Sequence, residues 1–479
     1  MDIKKIFIIV SSWIFLALPE GTLNAQQTSN TITYGSVQGT NVIARPNSGM
    51  TCIVLCSHKN GNEAEFTLGT KVLKTTIGPY TGLTGSERDG FIVEWMEVLG
   101  NTCYFCGKQW HETFEIMHLF DGSMQVVPTY QYKGFLGRFN IADILAGSNN
   151  YEIMTFNETT ELNKIVASGG GYKALGLSTN NTPIILELAN LALGWRYRIG
   201  VSSRSDEVFS NIEAGGTKTI IASRFDGSLG QNMLERKIGL RYGNSMNFFS
   251  DCDTIYSYDV QDIFIFGGVG FSSVSPLQIC RTYVGNEIVV AYIGQQYSWA
   301  NKLLMFKIST EGSSTVHYQF SNDNHNYSKI TEIKLPQPLD TPQKMVMLME
   351  STNGESTLRF PFWGNTLGVI TDTILYDANL KIQSIHPSQA QLGMIYVSAG
   401  GYDPNNANKV MLIQQHEIHD VCHWDEMSCR SVKHGEFVKD IESAPPNIIY
   451  SEIIKPGYQQ KSFTPKTFQV SATNTVTGC

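Results

Sequence analysis

A chain of 479 residues that is 42% hydrophobic and 16% charged has material for a large core, as two or three domains or one repeat assembly. A formal net charge of -8 removes any electrostatic case for nucleic acid or an anionic membrane as partner, and favours a neutral ligand or another protein. The 43 glycines and 11% aromatic residues fit many short strands joined by turns.

In chain order, residues 1–25 read as a secretory signal. Lys4 and Lys5 form a basic end, Ile6–Leu18 an apolar segment short for a membrane span, and Leu23-Asn24-Ala25 a small-residue cleavage site before Gln26. An uncleaved anchor is the alternative. No Cys follows the site, so the bacterial lipoprotein pattern is absent, and no later segment has the length and apolarity of a membrane helix. The expectation is a secreted or periplasmic protein with no membrane span after signal removal.

Thr31–Tyr34 and Asn41–Ala44 read as strands. Seven apolar, β-prone core runs follow, starting at residues 52, 103, 165, 219, 288, 345 and 394, roughly 50–70 residues apart. Several sit beside tight turns, as Val98-Leu99-Gly100-Asn101 precedes Thr102–Gly107. Val166-Ala167-Ser168-Gly169-Gly170-Gly171-Tyr172 is echoed by Val397-Ser398-Ala399-Gly400-Gly401-Tyr402. No segment carries a sustained, capped helical period. The pattern predicts an all-β fold: a β-propeller of seven four-stranded blades, with six or eight as neighbouring alternatives. Circular closure would bury both faces of each small sheet and leave few free edges. The N-terminal strands at 31–44 would complete the last blade. A series of hairpins without radial symmetry is the competing architecture. The division expected is signal peptide 1–25, propeller 26–455 and a loosely held C-terminal tail 456–479.

The order of strand, Gly-Asn turn, apolar strand and loop resembles the blade of secreted NHL- or YVTN-type β-propellers. The matching residues are Gly100-Asn101 with Tyr104–Gly107, and Gly285-Asn286 with Val290–Gly294. The chain is also similar to exported proteins of Bacteroidetes-type bacteria. The resemblance implies an architecture and an address, and no ligand residue carries over, because such folds host many functions.

Nine cysteines would meet an oxidising compartment. Cys52 with Cys56, and Cys103 with Cys106, each share a strand and stand too far apart to close on themselves. Pairing across the two strands stays open. Cys422 and Cys429 flank a hairpin-length loop and are the local disulfide candidate.

No catalytic motif is present: there is no G-x-S-x-G, no phosphate loop, and Gly267-Gly268-Val269-Gly270 lacks the third dinucleotide-binding glycine. His416, His419, Cys422 and His423 form the densest group of metal-capable side chains, read as a surface loop, so no metal and no cofactor is assigned. Asp226, Asp251, Asp253, Asp259 and Asp262 offer carboxylates without fixing a pair. The loops after the core runs carry aromatics with polar neighbours: Trp110 with His111, Tyr172, Arg224 with Asp226, Tyr297 with Trp299, and Tyr402. If these loops share one face, they form a surface for protein contact or sugar stacking. The reading is a monomeric binding module for an extracellular protein or glycan. The alternative is a carbohydrate-active enzyme, a glycoside hydrolase or lyase, using carboxylates near the axis.

Overall fold

The computed structural model describes residues 30–34, 40–46, 53–59, 63–68, 71–75, 89–148, 150–168, 171–191, 194–201, 207–215, 218–225, 237–244, 255–259, 273–281, 287–295, 302–309, 317–321, 327–334, 346–360, 369–376, 381–389, 395–403, 406–418, 429–439, 448–450, 459–463, 466–469 and 472–473. These residues are almost all strand, as the turn-rich, β-branched sequence predicts. The one helix among the described residues, Ile141–Leu145, is capped by Asn140, whose side chain accepts from the backbone N–H of Ala142 at 2.9 Å. No helix among the described residues is long and apolar enough to cross a membrane.

The described strands form six antiparallel sheets. Four of them open with four consecutive strands, within residues 40–75, 89–156, 159–201 and 207–259. They are called here the first to fourth sheets. Residues 273–321 and 327–376 make the fifth and sixth groups, bridged by the strand Cys429–Lys439 into one ten-stranded sheet. The seventh holds Lys381–Gln389, Ile395–Asp403 and Asn406–Ile418. Its fourth strand is Asn30–Tyr34, paired antiparallel with Asn406–Ile418, Tyr34 opposite Val410. The two N-terminal strands therefore divide: Asn30–Tyr34 joins the last sheet and Thr40–Pro46 leads the first.

Residues 456–479 were expected as a loose tail. The strands Gln459–Phe463, Lys466–Gln469 and Ala472–Thr473 instead add to the outer edges of the third, second and first sheets. Edge strands are held by backbone hydrogen bonds and need no apolar run, so hydrophobic patterning does not announce them.

Lead strands also pack on one another. Thr40–Pro46 touches Asp89–Leu99, which touches Thr159–Ser168; that strand meets Glu207–Gly215. Contacts continue through Gln278–Arg281, Tyr327–Lys334 and Lys381–Gln389, and the last of these also touches Thr40–Pro46.

Between the first two sheets lies an aromatic-rich core. Phe66 and Phe105 have ring centroids 4.7 Å apart, Phe66 and Phe139 5.2 Å, and all three are essentially inaccessible. Burial of each such ring stabilises by roughly 1.5–3 kcal/mol. A Cβ on Gly137 would lie 2.1 Å from the Phe105 ring, so only glycine lets that ring cross the neighbouring strand. His58 adds a polar tie: its Nε2 accepts from the backbone N–H of Val93 at 2.8 Å. The Gly100-Asn101 turn is present, with Gly100 at φ 63. Gly285-Asn286 lies outside the described residues.

Cys56, Cys103 and Cys106 are buried and none is in a disulfide, so the strand carrying Cys56 is not stapled to that carrying Cys103 and Cys106. Their neighbours are apolar core, and burial pushes the Cys56 and Cys106 thiols far above the usual range. Cys52 and Cys422 lie outside the described residues. Cys429 opens a strand opposite Tyr376.

Candidate functional site

Six of the seven lead strands carry a register shift: between Thr40 and Ile43, Val93 and Trp95, Leu162 and Lys164, Phe209 and Asn211, Ile330 and Glu332, and Ile382 and Ser384. A β-bulge inserts one residue and re-aims its neighbours. In the fifth group the lead edge is instead interrupted around Pro276, between Ser273–Val274 and Gln278–Arg281.

These irregular positions meet around one cavity of about 310 Å³. Each of five bulges contributes an adjacent pair: Glu94-Trp95, Asn163-Lys164, Ser210-Asn211, Thr331-Glu332 and Gln383-Ser384. Ile43 and Arg45 come from the first sheet and Gln278 from the ten-stranded sheet, so strands of all six sheets line it. The remaining wall includes Phe209, Lys329 and Glu350.

Arg45 is the anchor. Its guanidinium, 1% exposed, holds Glu332 through Nη2–Oε1 at 2.7 Å and Nη1–Oε2 at 3.3 Å. It also donates to the carbonyls of Met96, Ala44 and Ile385 at 3.1, 3.2 and 3.1 Å. Glu332 Oε2 in turn accepts from the Ile385 N–H at 3.0 Å. This buried pair is fully hydrogen-bonded, the condition under which burial of charge is tolerated. Ser384 Oγ accepts from the Ala44 N–H at 2.8 Å, and Gln383 Oε1 accepts from the Val42 N–H. Across the cavity, Lys164 donates to Asn211 Oδ1, and Asn211 Nδ2 donates to Gln278 Oε1.

The Trp95 indole is ringed by cations. Arg45 lies 4.9 Å, Lys164 4.8 Å and Lys334 5.5 Å from its ring centroid. Behind the lining, Lys334 approaches Glu97 at 3.7 Å and Glu332 at 3.6 Å. Burial opposes both charges, yet Lys334 and Arg45 hold Glu97 below the usual carboxylate range, and Glu97 and Glu332 hold Lys334 up. Burial, aided by Lys334, pulls Lys164 down. Burial and the Lys334 and Arg45 cations lower His386 to about 3, so its imidazole is neutral. Burial raises Glu94 against the opposing charge of Lys108.

Each cavity charge has a counter-charge. Arg45 holds Glu332, Lys329 meets Glu350 at 2.9 Å, Glu94 meets Lys108 at 3.5 Å, and Lys164 stands 4.0 Å from Glu213. Two buried atoms of lining residues have no hydrogen-bond partner: Trp95 Nε1 and Ser210 Oγ. Orphaned polar atoms beside a cavity mark where a ligand or water completes the set.

The aromatic positions expected on loops lie elsewhere. Trp110 and His111 stand inside the long strand Thr102–His118, and His111 is buried. Tyr172, in Gly171–Ser178, packs its ring 4.4 Å from Tyr104, the two hydroxyls hydrogen-bonded, as interior contact between the second and third sheets. Arg224 and Tyr402 are half-buried within strands, not loops. The apolar runs simply continue through these positions, because backbone pairing extends each strand past its core segment. None of these residues lines the cavity. Asp226, Tyr297 and Trp299 lie outside the described residues. The cavity residues themselves went unread in the sequence. Their signal is two adjacent side chains, at least one of them polar, that interrupt period-two alternation, as Glu94-Trp95 does between Val93 and Met96.

No family model matches the chain, and no curated protein or solved structure matches it either.

Proposed function

We propose that the chain is an exported β-propeller of seven four-stranded blades that binds a neutral, polyhydroxylated ligand, a glycan, in its axial cavity. The succession of lead-strand contacts, returning from Lys381–Gln389 to Thr40–Pro46, supports the radial arrangement. So does the N-terminal strand seated in the last sheet. Export rests on the signal-like residues 1–25.

The observation that carries the binding reading is the composition of the cavity wall. Asn163, Asn211, Gln278, Gln383, Ser210, Ser384 and Thr331 offer amides and hydroxyls, beside the rings of Trp95 and Phe209. Every charge there is countered, so a strongly ionic ligand gains little, whereas hydroxyl groups find donors and acceptors on all sides. The binding surface thus moves from the loop aromatics to the bulges. The test is titration of neutral mono- and oligosaccharides by calorimetry against wild type, Gln383→Ala, Asn163→Ala and Trp110→Ala. Loss of binding in the first two variants with retention in the third is the expected result. Loss only in Trp110→Ala would overturn the cavity assignment.

A second reading rests on Glu94. Its carboxyl is raised, as a general acid requires, and it shares the cavity with Glu332 and Glu350. Under that reading the protein cleaves a glycosidic bond, and Glu94→Gln abolishes turnover of an aryl glycoside while sugar binding survives.

A further inference from the structure

Among the described residues, nine of the ten exposed large apolar side chains lie on one hairpin, made by Thr102–His118 and Met124–Asn140. Beyond His111 and before Gly134 its two strands pair only with each other among the described strands. Opposite residues of an antiparallel pair share a face. One face therefore carries Trp110/Tyr132, Glu112/Tyr130, Phe114/Pro128, Ile116/Val126 and His118/Met124. The other carries Thr113/Thr129, joined by their hydroxyls at 2.6 Å, with Glu115/Val127 and Met117/Gln125. At the tip Phe120 is 114% exposed.

The charges exclude a lipid surface as the favoured cover. Residues 112–132 contain Glu112, Glu115 and Asp121 and no Lys or Arg. Asp121 sits at the apex, its carboxylate accepting from Ser123 N and Oγ at 2.9 and 2.6 Å. Driving that carboxylate into acyl chains is unfavourable, and an anionic headgroup layer repels it.

The apolar face is complementary to itself. Besides its tyrosines, its only ionisable groups are Glu112 near the base and His118 near the tip, six residues or about 20 Å apart along the strand. We propose that the hairpin is a dimerisation arm that packs face to face and antiparallel on the same hairpin of a second copy. With the two-fold axis at Glu115, Glu112 of each copy meets His118 of the other, Phe114 covers Ile116, Tyr130 covers Met124, and Phe120 reaches the Trp110/Tyr132 pair. Such an isologous contact satisfies both copies with one patch. Glu115, on the opposite face, stays in water. The strip is about 30 Å long and two strands wide, well under the roughly 800 Å² per partner of a standard interface, so the dimer forms in the micromolar range. The sequence alone had pointed to a monomer.

The experiment is sedimentation velocity on the full chain from about 1 to about 200 µM. Wild type is expected to shift from monomer to dimer as concentration rises. Phe120→Asp, and Glu112→Lys or His118→Glu alone, should raise the dissociation constant about tenfold or more. The double variant Glu112→Lys/His118→Glu should restore association by exchanging the charges. Circular dichroism on each variant checks that the sheets are intact, which exposed tip residues leave them. A monomer at every concentration, a dimer indifferent to Phe120→Asp, or a double variant no better than the singles would overturn the proposal. So would a monomer that binds uncharged phosphatidylcholine vesicles through Phe120, which would assign the hairpin to lipid.

Discussion

Two halves of the same pair of strands live in opposite environments. From Cys103 to Cys106, opposite Leu136–Phe139, Thr102–His118 lies buried between neighbouring sheets; from Phe114 to His118 the same strand is exposed. Backbone pairing is continuous across the boundary, with an unbroken register from Thr102 opposite Asn140 to His118 opposite Met124. The strand is therefore a property of pairing and β propensity, while its stability comes from what covers it. Apolar residues occur in both halves, so hydrophobicity alone does not tell a core strand from a protruding one.

The sharpest way to break this contrast is at the proximal half. Phe105→Ala should destabilise by about 3–5 kcal/mol, read by denaturant unfolding, because the cavity it leaves is walled by Phe66, Phe135 and Phe139. Glu332→Gln probes the neighbouring charge cluster and should lower stability by about 3 kcal/mol, since it leaves the Arg45 guanidinium buried without its counter-charge. A stability loss under 1 kcal/mol would mean that water or the Lys334 cluster rearranges to compensate.

Acid should act mainly on the buried regions. Burial lowers His58 from 6.5 to about 4 and His386 from 6.5 to about 3. Both folded-state values lie below the unfolded one, so the unfolded chain takes up these protons first. The stability they contribute is complete above pH 6.5 and is lost as pH falls toward those lower values. At pH 5 each accounts for about 2 kcal/mol, and Glu97, also lowered, adds a loss in the same direction below the normal carboxylate range. A His58→Gln variant, which leaves an acceptor near the Val93 N–H, should show a shallower fall in melting temperature between pH 7 and pH 5. The smallest effect belongs to the distal half: Phe120→Ala should change unfolding free energy by less than about 0.5 kcal/mol. A larger loss would mean that the tip is covered within one molecule.

Much of the fold was legible because six core runs fall on second strands of the sheets, where apolar residues are continuous. The run at Ile165 differs: it belongs to a lead strand, Thr159–Ser168. The long hairpin and the helix after it shift the spacing there, and an extended hairpin of mixed polar and apolar residues has no period to mark it as an insertion. The cavity was not legible. Its residues arrive one or two at a time from strands spread over most of the chain, and each bulge looks locally like a flaw in alternation. Only the coincidence of five such flaws in three dimensions gives them meaning. Trp110 and Tyr402 were read as loop residues because glycine-rich or polar neighbours mimic a turn, yet pairing with the adjacent strand carries both onward in extended form.

The edge strands near the C-terminus bear on the order in which the chain folds. Cys429–Lys439 pairs with the fifth and sixth groups, Ile448–Tyr450 with the fourth sheet, Gln459–Phe463 with the third, Lys466–Gln469 with the second and Ala472–Thr473 with the first. Ala472 thus lies opposite Leu73, across nearly the whole length of the chain. Loop closure grows only logarithmically, about 0.6 kcal/mol per doubling, so the wrap is thermodynamically inexpensive. Kinetically it is late: sequence-distant pairings form slowly and follow the sheets they edge. Until then six outer edges present unpaired backbone groups to any other chain nearby. Refolding yield should therefore fall with protein concentration, more steeply than the stability of the finished molecule would imply.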